Sequence, residues 1–460
     1  MSGRAATDRV IRGRFGISVN DPDHPTPPGW VRTLLTDVAD LGTGHTPSRN
    51  HPEYWDGEVQ WIGIRDAGAH HGGVINATNQ TITPLGLQNS AARLLPKGTV
   101  CLSRTASVGY VVKMGRDMAT SQDFVNWTCS EALDPDFLMS ALLAEGEDIR
   151  KFGEGSTHTT IYFPAVKAFH IDLPPVPEQR RIVAKLNALT ARIARARAKL
   201  DRVPVLAKLF REQALTRSFG GVAFPEISLG DEIQAIESGK NLRCEERPPQ
   251  EGEKGVVKVS AVTWGRFDAT KSKTLPSDFL PPEKSRIKAG DLLISRANTL
   301  ELVGAPVIVE EQPRDLYLSD KILRLVVAEK AKRWVLWFLR SPHGRRQIES
   351  MATGNQLSMR NISQDALRKI RLPFPDETIR MERMRSLEHA FARADRLEAE
   401  AARARKLLDR LESAILAKAF RGELVPQDPN DEPASVLLER IRTERAAVPK
   451  AKRRRKATFA

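Results

Sequence analysis

The stretch Leu173–Val183, LPPVPEQRRIV, returns 199 residues later as LPFPDETIRM at Leu372–Met381, and this repetition decides how the rest of the chain is read. In both copies prolines precede acidic residues, Glu178 in the first and Asp376 and Glu377 in the second. That is the signature of a helix N-terminus, where a fixed φ is preorganised and the macrodipole favours negative charge. Working outward, GSTHTT from Gly155 corresponds to GNQLSM from Gly354 at the same spacing. Further upstream, Lys97-Gly98 leads into TVCLSRTAS (99–107) and Ala289-Gly290 into DLLISRANT (291–299). Each reads as a turn, a short apolar strand and a Ser-Arg pair emerging at its end. Downstream, ALTRSFGG (214–221) matches ILAKAFRGEL (415–424). The order is the same in both halves, so the chain is a diverged duplication with a period of about 200 residues, a repeat of whole domains rather than of solenoid units.

Each half has one grammar: a globular stretch with strand-like runs and frequent Gly and Pro, a proline-rich stop, then a long helix. The first helix carries Ile182, Leu186, Leu189, Ile193, Ala196, Leu200, Val203, Ala207 and Phe210 at steps of three and four, a heptad seam. The second repeats it with Leu387, Ala390, Ala394, Leu397, Ala401, Ala404, Leu408, Leu411 and Ile415. Narrow stripes of this kind favour pairing of the two helices with each other; packing of each on its own domain, or homodimerisation, are the alternatives. Pro204 should interrupt the first helix near Arg202. The boundaries that follow are an N-terminal extension at 1–27, a first domain at 28–176, a first helix at 177–221, a second domain at 222–375, a second helix at 376–424, and a linker, short helix and basic tail at 425–460.

Length and composition agree with a multidomain soluble protein of mixed α/β class, 460 residues with 41% hydrophobic and 28% charged residues. No run approaches the roughly 20 apolar residues of a membrane span, and no secretory signal is recognisable, so the cytoplasm is expected and no membrane. Cys101, Cys129 and Cys244 lie far apart with no Cys-x-x-Cys pair and read as packing residues. The excess of 71 Lys and Arg over 57 Asp and Glu, a net charge of +14, is the footprint of a phosphate-binding surface or of a solubilising surface with a basic tail.

Catalytic motifs are missing. Gly239-Lys240 is followed by Asn241 and forms no phosphate loop, and neither a His-Glu-x-x-His helix nor a Gly-x-Ser-x-Gly elbow occurs. There is no Asn/Asp-Pro-Pro-Tyr/Phe segment and no acidic nuclease cluster. His45, His51, His70 and His71 lack the ligand spacing of a metal site, and His158 is expected to serve as a polar loop residue. No catalytic and no metal-binding residue is assigned.

From Trp30 to Leu424 the chain resembles the specificity subunit of type I restriction-modification systems. The resemblance rests on GSTHTTIYFPAVKAFHIDLPPVPEQRRIVAKL and GNQLSMRNISQDALRKIRLPFPDETIR, supported by LGTGHTPSRNHPEYWDGEVQWIGIRD from Leu41, SRTASVGYVV from Ser103 and ISRANTLELVGAPVIV from Ile294. The second half departs from it at Pro375-Asp376-Glu377-Thr378, where Pro-Glu-Gln-Arg is the pattern. The resemblance implies two tandem target recognition domains separated by two long antiparallel coiled-coil helices. At 1.5 Å per residue such helices would span about 35 to 60 Å, a ruler for a bipartite DNA target with an unread spacer. It further implies partners: double-stranded DNA, two copies of an adenine methyltransferase subunit, and motor-nuclease restriction subunits. S-adenosylmethionine, ATP and Mg would belong to those partners, with no cofactor in this chain. Its competitors are a coiled-coil protein-interaction scaffold with incidental basic charge and a diverged single-chain DNA-modifying enzyme.

Direct readout uses Arg against guanine and Asn or Gln against adenine, while Lys and Ser more often hold phosphates. The candidates are Arg65, Arg104, Ser107 and Gln122 in the first domain and Arg266, Arg296, Asn298 and Gln356 in the second. Lys113, Arg116, Lys321, Arg345 and Arg360 are phosphate candidates. Arg104 and Arg296 stand out because they follow the same strand in both repeats.

Overall fold

The computed structural model describes residues 9–105, 107–155, 159–220, 224–263, 265–356 and 359–447, without the side chains of Asn355, Gln356 and Arg445. The tail from Lys450 to Lys456, His158, and parts of both GSTHTT and GNQLSM fall outside the described residues. Contacts divide the chain into two units, Met1–Arg197 with Arg405–Ala460, and Ala198–Ala404.

The first unit is built on a five-stranded sheet in the order Ala39–Thr43, Phe124–Cys129, Val100–Ser103, Val111–Met114, Val74–Ile75. A three-stranded sheet follows the order Ala119–Thr120, Trp55–Ile62, Gln80–Ile82. The run from Val100 to Leu102 is apolar throughout because both its faces are covered. Val100 and Leu102 enter the core shared with Phe137 and Leu138, and Cys101 enters a second core with Ile62, Met114 and Phe124.

In the second unit the main sheet runs Ile233–Ser238, Ile322–Val327, Leu292–Ser295, Pro306–Ile308, and the companion sheet runs Leu316–Tyr317, Gly255–Val257, Ser272–Thr274. Apart from the edge strand Val74–Ile75, which has no counterpart among the described residues of the second unit, these are the same orders, and the central strand alternates in the same way, Leu292 and Ile294 to one core and Leu293 to the other. Register agrees as well: Ser103 lies opposite Phe124, and Ser295 opposite Ile322. The duplication read in the sequence is a duplication of fold.

The N-terminal segment corrects the sequence reading. Far from being an extension, Ile11–Arg12 and Ile17–Val19 join a four-stranded sheet with Phe169–Leu173 and Val31–Leu34, and Ile17 and Val19 are core residues. Its turn holds the buried Glu145 carboxylate, which accepts from the backbone N–H groups of Arg14, Phe15, Gly16 and Ile17. Strands of two and three residues are too short to leave a readable alternation.

The long helices are α1 (Val176–Asp201), α2 (Val203–Phe219) and α3 (Glu377–Phe420). The first helix breaks at Arg202, with Pro204 in the opening turn of α2, as its sequence predicts. Within the first unit Arg197 pairs with Asp409 at 2.7 Å and Glu412 at 2.7 Å, and further back along α1 Ile182 and Leu186 share the core with Ala419 and Phe420. Within the second unit Arg211 pairs with Glu398 at 2.6 Å, while Arg383 donates to the carbonyls of Arg217 and Ser218. Partners descend as α1 and α2 ascend, so the helices run antiparallel.

The seam on α3 differs from the one expected. Leu397 and Leu411 are 46% and 49% exposed, and on α2 Phe210 is 41% exposed. The inward stripe passes through Met384, Leu387, Phe391, Ala394, Glu398, Ala401, Leu408, Glu412, Ile415 and Ala419, all buried or half-buried. Glu398 and Glu412 occupy seam positions and are partnered by Arg211 and Arg197, which turns the preceding leucines outward. Ile182, Leu186, Ile193 and Leu387 are buried, and Leu189, Leu200, Leu408 and Ile415 half-buried.

The C-terminal segment also belongs to the first unit. After α3, Arg181 holds Asp431, and a helix α4 (Ala434–Ala447) sends Ala434, Leu438 and Ile441 into the first core.

Candidate nucleic-acid interface

The Ser-Arg pair at the end of the central strand is held identically in both units. Ser103 Oγ donates to the Ser107 carbonyl and accepts from Tyr110 N–H at 2.8 Å; Ser295 Oγ donates to the Leu302 carbonyl at 2.7 Å and accepts from Ala305 N–H at 3.1 Å. These bonds close the loop that follows each arginine. Arg104 N–H donates to Asp123 O at 2.8 Å, and Arg296 N–H to Lys321 O at 2.8 Å. The arginine carbonyls accept from Ile161 N–H at 2.9 Å and Ile362 N–H at 3.0 Å. Ile161 directly follows the GSTHTT run and Ile362 lies three residues after GNQLSM, so the segments that follow these signatures fix the arginine backbone on one side.

The two side chains are stored differently. Arg104 is half-buried, donates to Gln122 O at 3.1 Å and lies 5.0 Å from the centre of the Phe163 ring. Burial pulls its pKa down from the usual arginine value against the opposing pull of Asp123, and its Nε is buried without a partner among the described residues. Arg296 is exposed and makes no side-chain hydrogen bond or ion pair among the described residues.

Around Arg104 the fold gathers Gln122, whose Oε1 accepts from Thr46 Oγ1 at 2.5 Å, and Thr105, which donates to Asp123 at 2.6 Å. Ser107 closes the same loop. Ser121 N–H bonds Ile62 O, bringing the Gln122 turn beside the short helix Ile64–Ala69 that carries the exposed Arg65. Arg116 is exposed on the turn after Val111–Met114.

Around Arg296, Asn298 pairs across a small sheet with Arg360 and donates to Thr263 Oγ1 at 3.2 Å. The Nε of Arg360 is buried without a partner among the described residues, and Arg266 is exposed in a neighbouring turn. Lys321 is exposed and paired with Asp320 at 2.6 Å. Gln356 has its backbone in the strand Thr353–Gln356, and its side chain lies outside the described residues.

Two phosphate candidates have other work. Lys113 is bound by Asp136, which neutralises it. Arg345 donates to the carbonyls of Val303 at 2.6 Å, Leu300 at 3.2 Å and Glu301 at 3.1 Å, and so braces the loop after Arg296. Burial lowers its pKa, which suits an arginine turned inward on carbonyls rather than outward to phosphate.

Sequence reasoning missed Thr46, Thr105, Asp123 and Arg49. The spacing gives no sign of them, because Thr46 and Gln122 meet from two loops far apart in the sequence. Three of the four clustered histidines have a partner for the ring: His51 meets Glu53, His70 Nδ1 meets Asp66 O, and His71 Nδ1 accepts from Val111 N–H. Among the described residues no helix is long and apolar enough to cross a membrane.

Two domains of one fold, each followed by a long helix and each presenting a clamped arginine, repeat along the chain. Comparison with known proteins shows what this arrangement is similar to. Residues 27–204 match the model of the type I restriction modification DNA specificity domain. The EcoKI specificity subunit of Escherichia coli K12 is 23% identical over 454 residues, spanning 92% of this chain and 96% of that one. The HsdS subunit from Thermoanaerobacter tengcongensis has the same fold, with a TM-score of 0.61 over 87% of this chain and 99% of its own, at 20% identity. A further structure, from a study of complex assembly and conformational transition of a type I system, gives 0.65 over 87% of this chain and all of its own, also at 20% identity. Residues 27–204 thus match a type I restriction modification DNA specificity domain, and over nearly its whole length the chain is similar to specificity subunits of type I restriction-modification systems.

Proposed function

We propose that this chain addresses adenine methylation and ATP-dependent restriction, both performed by partner subunits, to a bipartite DNA target of which each domain reads one half. The observation that carries the reading is the duplicated slot: two domains of one fold hold Arg104 and Arg296 by the same two backbone hydrogen bonds, fasten the preceding serine by the same two side-chain bonds, and leave guanidinium donors for base edges. The chain then supplies no catalytic group. S-adenosylmethionine, ATP and Mg act in the partners, and the assembly works on cytoplasmic DNA.

A second repetition supports two methyltransferase copies. On α2, Leu206 and Phe210 are 53% and 41% exposed; on α3, 201 residues later, Leu407 and Leu411 are 61% and 49% exposed. The same outward apolar pair one turn apart, once per repeat, offers the same partner two equivalent docking faces.

The scaffold reading explains those pairs and leaves the arginine slots without a purpose. A titration of the methyltransferase-bound chain with duplex DNA at several salt concentrations separates the two. Phosphate contacts give a steep fall of log affinity with log salt, and the scaffold reading gives no affinity to lose. Replacing Leu206 and Phe210 by glutamate should reduce the bound methyltransferase from two copies to one.

A further inference from the structure

The loop between Ala39–Thr43 and Trp55–Ile62 is fastened at many points for a surface loop. Gly44 passes so close to the opposite chain that a Cβ there would lie 2.0 Å from Thr120 O, and His45 N–H bonds the same carbonyl at 2.9 Å. Both indole N–H groups beneath the loop donate to its backbone, Trp61 to His45 O at 3.0 Å and Trp55 to Ser48 O at 3.2 Å. The rings of Trp55 and Trp61 meet edge to face at 5.3 Å. On this platform the guanidinium of Arg49 lies 3.6 Å from the centre of the Trp55 ring, and Nη2 donates to Gln80 Oε1 at 2.9 Å. Arg49 has no ion-pair partner among the described residues, and Nε and Nη1 remain available.

We propose that Arg49 reads a guanine in the half of the target contacted by the first domain, a specificity-determining role that rests on the DNA-reading function proposed above. A planar fork fixed on an aromatic face and oriented by an amide loses little rotamer entropy when it meets the paired acceptors of a guanine edge. Position agrees with this role. Two residues from His45, Pro47 is buried and Thr46 is bonded to Gln122, whose carbonyl accepts from Arg104, so Arg49 stands on the loop that borders the Arg104 slot.

The second domain argues that Arg49 is not part of the shared scaffold. There the close approach is kept, since a Cβ on Gly239 would lie 1.6 Å from Leu318 O. Residues 240–257, through the matching strand Gly255–Val257, contain no tryptophan; of their two arginines Arg247 is spent on Glu253 at 2.6 Å and Glu245 at 2.9 Å, and Arg243 makes no ring contact among the described residues. The anchoring glycine is duplicated, and the stacked arginine is particular to one domain. Divergence of this kind is expected where two domains read different bases on one frame.

The test is adenine-methylation mapping of DNA treated with the complete methyltransferase complex carrying wild-type chain, Arg49→Ala, Arg49→Lys or Gln80→Leu. Loss of a bidentate contact should relax one guanine position in one half of the motif by about tenfold or more, with the other half unchanged. Arg49→Lys keeps the charge and loses the fork, so it should relax the same position while the salt dependence of binding is retained. An unchanged motif in Arg49→Ala overturns the assignment. So does a uniform drop in methylation at every sequence, which marks a phosphate contact. Wild-type complex that methylates without any two-part motif overturns the underlying reading and this assignment with it.

Discussion

Arg104 and Arg296 share a backbone slot and differ in how their side chains rest, one half-buried over Phe163 and the other free in solvent. Arg296→Ala and Arg104→Ala should each weaken discrimination at one base by about 1–3 kcal/mol, read as relaxation in opposite halves of the methylated motif. Glu145 makes a stability prediction at the same scale. Four backbone N–H groups converge on its carboxylate, so Glu145→Gln replaces an acceptor by a donor against those groups and should cost about 1–3 kcal/mol in thermal or denaturant unfolding. An unchanged unfolding midpoint would contradict the burial described. Burial also pushes the Cys129 thiol up to about 12 and raises that of Cys101, so neither should react with a thiol reagent at pH 8 until the chain unfolds. The slot arginines were legible because a strand and a Ser-Arg pair recur together. Glu145 was not, because its donors lie some 130 residues away and no local pattern marks them. Lys113 and Arg345 looked like phosphate ligands for the same reason: charge is visible in a sequence and its partner is not.

At the scale of elements, α1, α2 and α3 show what heptad reading captures. Helix existence, the starts after the proline runs and the break at Pro204 follow from local chemistry. The seam on α3 does not, because two of its inward positions are glutamates matched by arginines on the facing helix, and a search for apolar residues slides to the neighbouring leucines. The corrected seam makes a paired prediction. Leu387→Ala removes a buried side chain and should destabilise by about 2–5 kcal/mol, while Leu397→Ala, on the outward face, should stay within about 0.5 kcal/mol. Chemical denaturation of both variants checks it, and equal losses would restore the original seam.

For the whole molecule, the duplication was the most legible feature, since whole-domain repetition leaves several landmarks in one order and the two units repeat sheet order and register alike. The part that could not be read was how the first unit is completed by both ends of the chain. Two short N-terminal strands and helix α4 enter its core, although spacing and composition set them apart as extension and tail. Truncation after Leu424 should therefore lower the unfolding temperature of the first unit and leave that of the second in place, a difference calorimetry resolves. The central claim, that the chain is an address with one half of the target read by each domain, is tested most directly by mapping methylated adenines in DNA exposed to the methyltransferase partner with and without this chain. The account predicts adenines in a two-part motif with a fixed gap, present only with both proteins, and altered in one half by Arg104→Ala and in the other by Arg296→Ala. Methylation that follows the partner regardless of this chain, or variants that change both halves together, would contradict it.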